Sequence, residues 1–195
     1  MNKVDTAIQF IRRVLEHHQN PCILYSGGKD SIVMTHLITQ VMLEKLPLVF
    51  FREPFMMHKY LFGLGVVADW KLTAHDYPPS GVSMWEGVGI MAFVNHQQIG
   101  IHPDGRVATL DVPKNIIEID HPDALCGLND LLLRPKARFD FPFDACFCGH
   151  KSTDVDQIAG EVKLHTDLHV TGVGPSLAFP LRHWTDEDIW EYTEA

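Results

Sequence analysis

The chain has 195 residues, 46% hydrophobic and 21% charged, enough apolar material for one substantial core, which excludes whole-chain disorder. Its 25 acidic and 16 basic residues leave a formal charge of −9, the wrong sign for a generic duplex-DNA or anionic-membrane binder, so nucleic acid is not favoured as a partner. No apolar run approaches the ~18 residues of a membrane-spanning helix, and four cysteines in a chain this long do not make a disulfide scaffold.

The start of the chain carries Asp5 and Glu16 and no continuous apolar stretch, unlike a signal or transit peptide, so a cytoplasmic location with reduced thiols is expected. Val4, Ala7, Ile8, Ile11, Val14 and Leu15 recur at steps of three and four, which predicts an amphipathic helix from about residue 3 to 18. Cys22 to Tyr25 is a short apolar run ending at Ser26-Gly27-Gly28, and reads as a buried strand. A wider apolar stripe predicts a second helix from about 29 to 45. Leu48 to Phe51 reads as another buried strand, residues 55 to 70 as a helix weakened by Gly63 and Gly65, and Leu72 to Tyr77 as a third strand. Helices between buried strands predict parallel crossovers, hence a doubly wound, mostly parallel α/β sheet with ligands beyond the carboxyl ends of its strands.

Ile90 to Val94, Gln98 to Ile101 and Arg106 to Val112 have β composition, with a turn signal at His102-Pro103-Asp104-Gly105, which predicts an antiparallel hairpin insertion over about 89 to 120. Leu125 to Leu133 reads as a short helix and Phe143 to Cys148 as a strand ending at Gly149. A last helix runs from Thr185, its cap, through Tyr192, with Asp188 completing a weak capping box. With no repeat or linker, residues 1 to 195 are expected to form a single domain. The last helix has no Gly or Pro stop before Ala195, which predicts a longer parent chain, or an oligomer contact over this end.

Ser26-Gly27-Gly28-Lys29-Asp30-Ser31 carries the chemistry. The glycines permit φ > 0 and a close approach of backbone to ligand. The helix that follows offers unpaired N–H groups and the positive end of its dipole. Ser26 and Ser31 add hydroxyls and Lys29 a charge, making an anion cradle suited to phosphate. It is not the Walker loop, which places four residues between its first Gly and the Gly-Lys pair. Asp30 beside bare phosphates suggests Mg²⁺ or a role in fixing the loop.

This hexapeptide resembles the PP-loop of the N-type ATP pyrophosphatases. Phe143 to Lys151 resembles a strand and basic turn of phosphoadenosine phosphosulfate (PAPS) reductases and of the small subunit of bacterial ATP sulfurylase, and Phe179 to Trp190 a later segment that those proteins share. The resemblance implies an adenine nucleotide alpha hydrolase-like fold. It also implies that Ser26, Gly27, Gly28, Lys29, Asp30 and Ser31 hold phosphates, Lys29 and Asp30 serving catalysis, with Gly149 and Lys151 near the same groups. Trp184 and Thr185 match a signature read as structural. Where the family commonly shows Asp-Thr-Gly, this chain has Phe51-Arg52-Glu53-Pro54; Arg52 is a candidate phosphate or sulfate ligand, weighed evenly against a solvated loop charge.

The late Glu-Cys-Gly-Leu-His segment of the reductases is missing from this sequence, and Cys126-Gly127-Leu128 lies too far upstream to replace it. Cys146, Cys148 and His150 alternate along one strand face and offer soft ligands to zinc or an iron–sulfur cluster. The Cys-x-x-Cys spacing is absent, and buried cysteine packs as a small apolar residue, so packing is favoured and no metal is expected there.

An adenine-nucleotide enzyme of sulfur metabolism, using ATP (with Mg²⁺) or a PAPS-type nucleotide, is therefore expected. The alternatives are an ATP-dependent adenylyl or sulfur transferase, whether ATP sulfurylase-like or inserting sulfur into nucleic acid, and a non-catalytic nucleotide-binding subunit. A homo-oligomer or partner subunit is compatible with each.

Overall fold

The computed structural model describes residues 2–42, 45–51, 57–77, 83–85, 89–94, 97–101, 107–110, 116–118, 143–156, 160–161, 166–170 and 174–195. Helix α1 (Lys3–His17) starts at Asn2, whose side chain accepts a hydrogen bond from the Asp5 amide, and buries Ala7, Ile11 and Val14, the stripe predicted from spacing. Strand β1 (Pro21–Tyr25) leads through the glycine loop into α2 (Lys29–Thr39). Then follow β2 (Leu48–Phe51), α3 (Met57–Asp69) and β3 (Ala74–Tyr77).

Helix α2 ends about six residues before the expected boundary of 45. The Val41 amide donates to the Ile38 carbonyl at 3.0 Å, a tightened turn that takes the chain off the helix axis. Val41 and Met42 still pack on the core from that turn, which is why the apolar pattern outruns the helix.

The main sheet adds β8 (Ile116–Glu118), β9 (Ala145–Phe147), β12 (Leu168–His169) and β13 (Ser176–Ala178). Its seven strands run in the order β12-β13-β9-β1-β2-β3-β8, every pairing parallel except the β12–β13 edge. A second, antiparallel sheet contains β4 (Ser83–Trp85), β5 (Gly89–Val94), β6 (Gln97–Ile101) and β7 (Val107–Leu110) in that order. Antiparallel pairing thus begins upstream of residue 89, and Ile116–Glu118 lies in the main sheet as a parallel neighbour of β3. The expected turn at His102 to Gly105 and the expected helix at Leu125 to Leu133 lie outside the described residues. A further pair, β10 (Val155–Asp156) with β11 (Gly160–Glu161), follows the turn after β9.

The chain closes with α4 (Asp186–Glu194), capped by Thr185 with Asp188 in a full capping box. Helices α1 and α4 both pack on α2. Ile189 is fully buried by the chain's own core, whereas Trp190 is 52% exposed. Among the described residues, no helix is long and apolar enough to cross a membrane.

The strand order positions the site. From β1 the chain steps to β2, β3 and β8 on one side, while β9 and β13 lie on the other. The crevice between the carboxyl ends of β1 and β9 is therefore the switch point of the sheet, where the outgoing connections part and leave space for a ligand. The glycine loop leaves β1 there, and the Gly149–Lys151 turn follows β9.

Candidate functional site

The strands that lead to the site are core. Pairing of Cys22 with Cys146 across β1 and β9 puts their sulfurs 3.5 Å apart, both fully buried. Cys148 is buried as well. Desolvation is the main cause that raises the Cys22 and Cys148 thiol pKa values well above the ordinary 9.0, so both stay protonated at neutral pH and behave as core residues. His150 stands edge-on to Phe179, ring centroids 6.5 Å apart. No group of three His, Cys, Asp or Glu residues is arranged to hold a metal among the described residues.

Beyond the end of β1, Gly27 turns the loop at φ +72°. A Cβ there would stand 2.7 Å from the Lys59 carbonyl oxygen and 3.1 Å from the Gly63 Cα, so the loop lies backbone to backbone against α3. Tyr25 secures the same contact, its hydroxyl donating to the Gly63 carbonyl at 3.3 Å. Gly63, one of the two glycines that weaken the helix prediction, is thus the one that the loop packs against. Gly27→Ala is expected to lower the unfolding free energy by more than the ~1–2 kcal/mol of a left-handed residue, because the backbone clash adds to it. Gly65, with open space around its Cα, is the control. There Ala is expected to stabilise by about 0.5–1 kcal/mol in urea denaturation. Equal effects at the two glycines would remove the packing argument.

Gly28 caps α2 with extended backbone, and its amide donates to Ser26 Oγ at 3.4 Å. Ser31 Oγ donates to the Gly28 carbonyl at 2.9 Å and stands 3.3 Å from Ser26 Oγ. Both predicted hydroxyls therefore line one side of the loop. Gly149 packs against the first turn of α2: a Cβ on it would be 3.2 Å from the Ser31 nitrogen.

Lys151 is 1% exposed, yet its Nζ reaches Asp30 Oδ1 and Asp154 Oδ1 at 2.7 Å each and Asp186 Oδ1 at 3.2 Å. Lys29 Nζ lies 3.2 Å from Asp30 Oδ2 and 3.0 Å from Asp186 Oδ1. The basic turn and the glycine loop, separate in sequence, are joined by these carboxylates. Burial opposes the charge on Lys151, but hydrogen bonds to Asp154 and Asp30 and the charge of both outweigh it and raise its pKa. The hydrogen bonds from Lys29 and Lys151 lower the pKa of Asp186. Asp30, read from sequence as an Mg²⁺ ligand or a residue fixing the loop, is engaged by Lys29 of the loop and Lys151 of the basic turn.

Lys151, Cys22 and Cys148 all hold protons more tightly folded than unfolded. Stability is full below the unfolded values, 9.0 for cysteine and 10.5 for lysine, and is lost as pH rises past them toward the folded values. Urea-unfolding free energy should therefore fall steadily above about pH 9, where the unfolded chain sheds the first of these protons. A flat profile from pH 8 to about pH 11 would contradict this assignment.

The Phe179-to-Thr185 segment supports the site from behind. The Cys148 amide donates to the Ala178 carbonyl at 2.8 Å and the Ser152 amide to the Arg182 carbonyl at 2.9 Å, pinning the turn that carries Lys151. Trp184 is buried, edge-on to Tyr192 at 5.7 Å, and Thr185 caps α4, the structural roles expected of both. Arg52 lies outside the described residues. Sequence reading missed Asp154, Asp186 and Lys59: Asp186 lies in the shared Phe179-to-Trp190 segment but was given no role, the other two belong to no local motif, and only the packing of the basic turn, α4 and α3 brings them to the loop.

No protein-family model matches the chain. Two proteins named sulfate adenylyltransferase subunit 2, from Geotalea uraniireducens (strain Rf4) and Shewanella baltica (strain OS185), are 26% and 28% identical to it, each match covering 95% of this chain. The chain spans 60% of the length of these curated relatives. Among solved structures, a phosphate complex of the PAPS reductase from Candida auris matches with a TM-score of 0.55 and 16% identity, over 97% of this chain and 78% of that one. That likeness establishes the shared fold. The sequence relatives named sulfate adenylyltransferase subunit 2 and the fold shared with a PAPS reductase are in line with the resemblance of the glycine loop to a PP-loop.

Proposed function

We propose that the chain binds an adenine nucleotide by its phosphates at the glycine loop and acts in sulfur metabolism on a phosphosulfate or on ATP. The observation that carries this reading is the convergence of Ser26, Ser31, Lys29 and Lys151 on the first turn of α2, at the switch point of the sheet. Fixed N–H groups and cations at such a point stabilise negative charge that grows on a phosphate oxygen during transfer.

The names of the sequence relatives favour the ATP branch, in which a sulfate oxygen attacks the α-phosphorus and pyrophosphate leaves. In that scheme the loop amides, Lys29 and Lys151 hold the departing pyrophosphate, and Gly149 borders it. The name "subunit 2" also suggests a partner subunit. Asp30, Asp154 and Asp186 are each bonded to lysine, and Mg²⁺ accompanying ATP would be held mainly by the phosphates, with one or two of these carboxylates beside them. The Cys22 and Cys148 thiols are buried and their pKa values raised, so neither is set up as a nucleophile toward sulfur.

Calorimetric titration with ATP, ADP and PAPS, followed by an assay for pyrophosphate released from ATP in the presence of sulfate, tests the reading. Binding of ATP with release of pyrophosphate is expected. Binding of PAPS alone would move the assignment to the phosphosulfate branch, and binding of none of the three would end it.

A further inference from the structure

We infer that Lys59, on α3, is a third cation of the loop and contacts the ligand's phosphate or sulfate group directly, an inference that rests on the nucleotide-binding reading above. Its side chain does not run out into solvent. A Cβ placed on Gly28 would meet Lys59 Cε at 3.2 Å and Nζ at 3.9 Å, so the ammonium group lies across the loop where glycine leaves the backbone open. The contact is built in, because the backbone of α3 sits on Gly27 at Lys59 and Gly63, and Tyr25 is hydrogen-bonded to Gly63. Lys59 precedes Gly63 by one helical turn and is held over the loop by that same packing.

Charge balance explains what a third cation does. Lys29 and Lys151 face three carboxylates, Asp30, Asp154 and Asp186. That cluster alone is one negative charge in excess, a poor reception for an anion of two or more charges. Lys59 enters from a different element, on the Gly28 side, and adds a positive charge there. A ligand phosphate or sulfate would then have Lys29 and the α2 amides on one side and Lys59 on the other, as two-sided recognition of an oxyanion requires.

The test titrates the whole chain with ATP and with PAPS, using adenosine as the neutral control, in wild type, Lys59→Gln, Lys59→Arg and the double variant Lys29→Ala/Ser31→Ala. Loss of one charge-assisted contact should weaken the Lys59→Gln complex about tenfold and flatten its salt dependence. Adenosine binding should not move, and Lys59→Arg should retain most of the affinity. In the wild type, bound nucleotide should also shield Lys59 from reductive methylation read by mass spectrometry, a measurement independent of how any variant folds. Wild-type affinity and salt dependence in Lys59→Gln, or unshielded Lys59 in the complex, would overturn the inference while the double variant's loss of binding kept the loop reading in place. Failure of the wild type to bind either nucleotide would overturn both.

Discussion

Lys151→Met is expected to lower the unfolding free energy by about 3–5 kcal/mol, the largest stability effect of any single change at the site. The ammonium group is buried and holds Asp30 and Asp154 at 2.7 Å. Methionine fills the same volume but removes the buried ammonium from both carboxylates, leaving Asp30 with Lys29 at 3.2 Å and Asp154 with the backbone amide of residue 151 at 2.8 Å. Each of them keeps about a quarter of its side chain in water, 25% for Asp30 and 29% for Asp154, which places the loss toward the lower end of the range. Asp186 is 66% exposed and adds little to this sum, since solvent screens it. In a domain of this size the loss corresponds to a melting temperature lower by roughly 6–20 °C. Thermal denaturation at pH 7 measures it, with Lys151→Arg as the charge-preserving comparison. A loss below about 1 kcal/mol would mean that water replaces the lysine at both carboxylates, and that the basic turn is held by its backbone bonds to Ala178 and Arg182 instead.

Lys29→Ala combined with Ser31→Ala is expected to reduce nucleotide affinity more than tenfold while the fold stays intact. Each charge-assisted hydrogen bond to a phosphate is worth roughly 1.5–3 kcal/mol, and the pair removes one cation and one hydroxyl from the same turn. The cost to stability is small by comparison. Ser31 Oγ loses its bond to the Gly28 carbonyl, about 1 kcal/mol, and Lys29 leaves Asp30 still paired with Lys151. Calorimetric titration and a thermal melt of the same samples separate the two effects. Unchanged affinity in the double variant would remove the loop as the phosphate site, whatever the fold.

Much of the architecture was legible in the sequence because it is set by local rules. The spacing of Ala7, Ile11 and Val14 makes α1 amphipathic, and burial on both faces of a parallel sheet requires the apolar runs that become β1 and β2. The hexapeptide was legible for a similar reason: a tight strand-to-helix turn needs glycine, and its neighbours are contiguous. Strands β12 and β13 were not legible. They have two and three residues, and Ser176–Ala178 is a strand only because Leu177 finds its register beside Cys146.

The sequence by itself determined the α/β alternation, the loop and its serines, the Lys29 cation and the capped last helix, all of which depend on neighbours within a few residues. Only the tertiary structure decided the order in which the strands lie, and with it that the loop after β1 and the turn after β9 face one crevice. It also decided that Lys151 is buried against Asp30, Asp154 and Asp186, and that α3 carries Lys59 over Gly28. The physical reason is the range of the interactions. Helix periodicity and caps act over one or two turns, whereas an ion pair between residues 121 positions apart exists only after the sheet has brought two strand ends together.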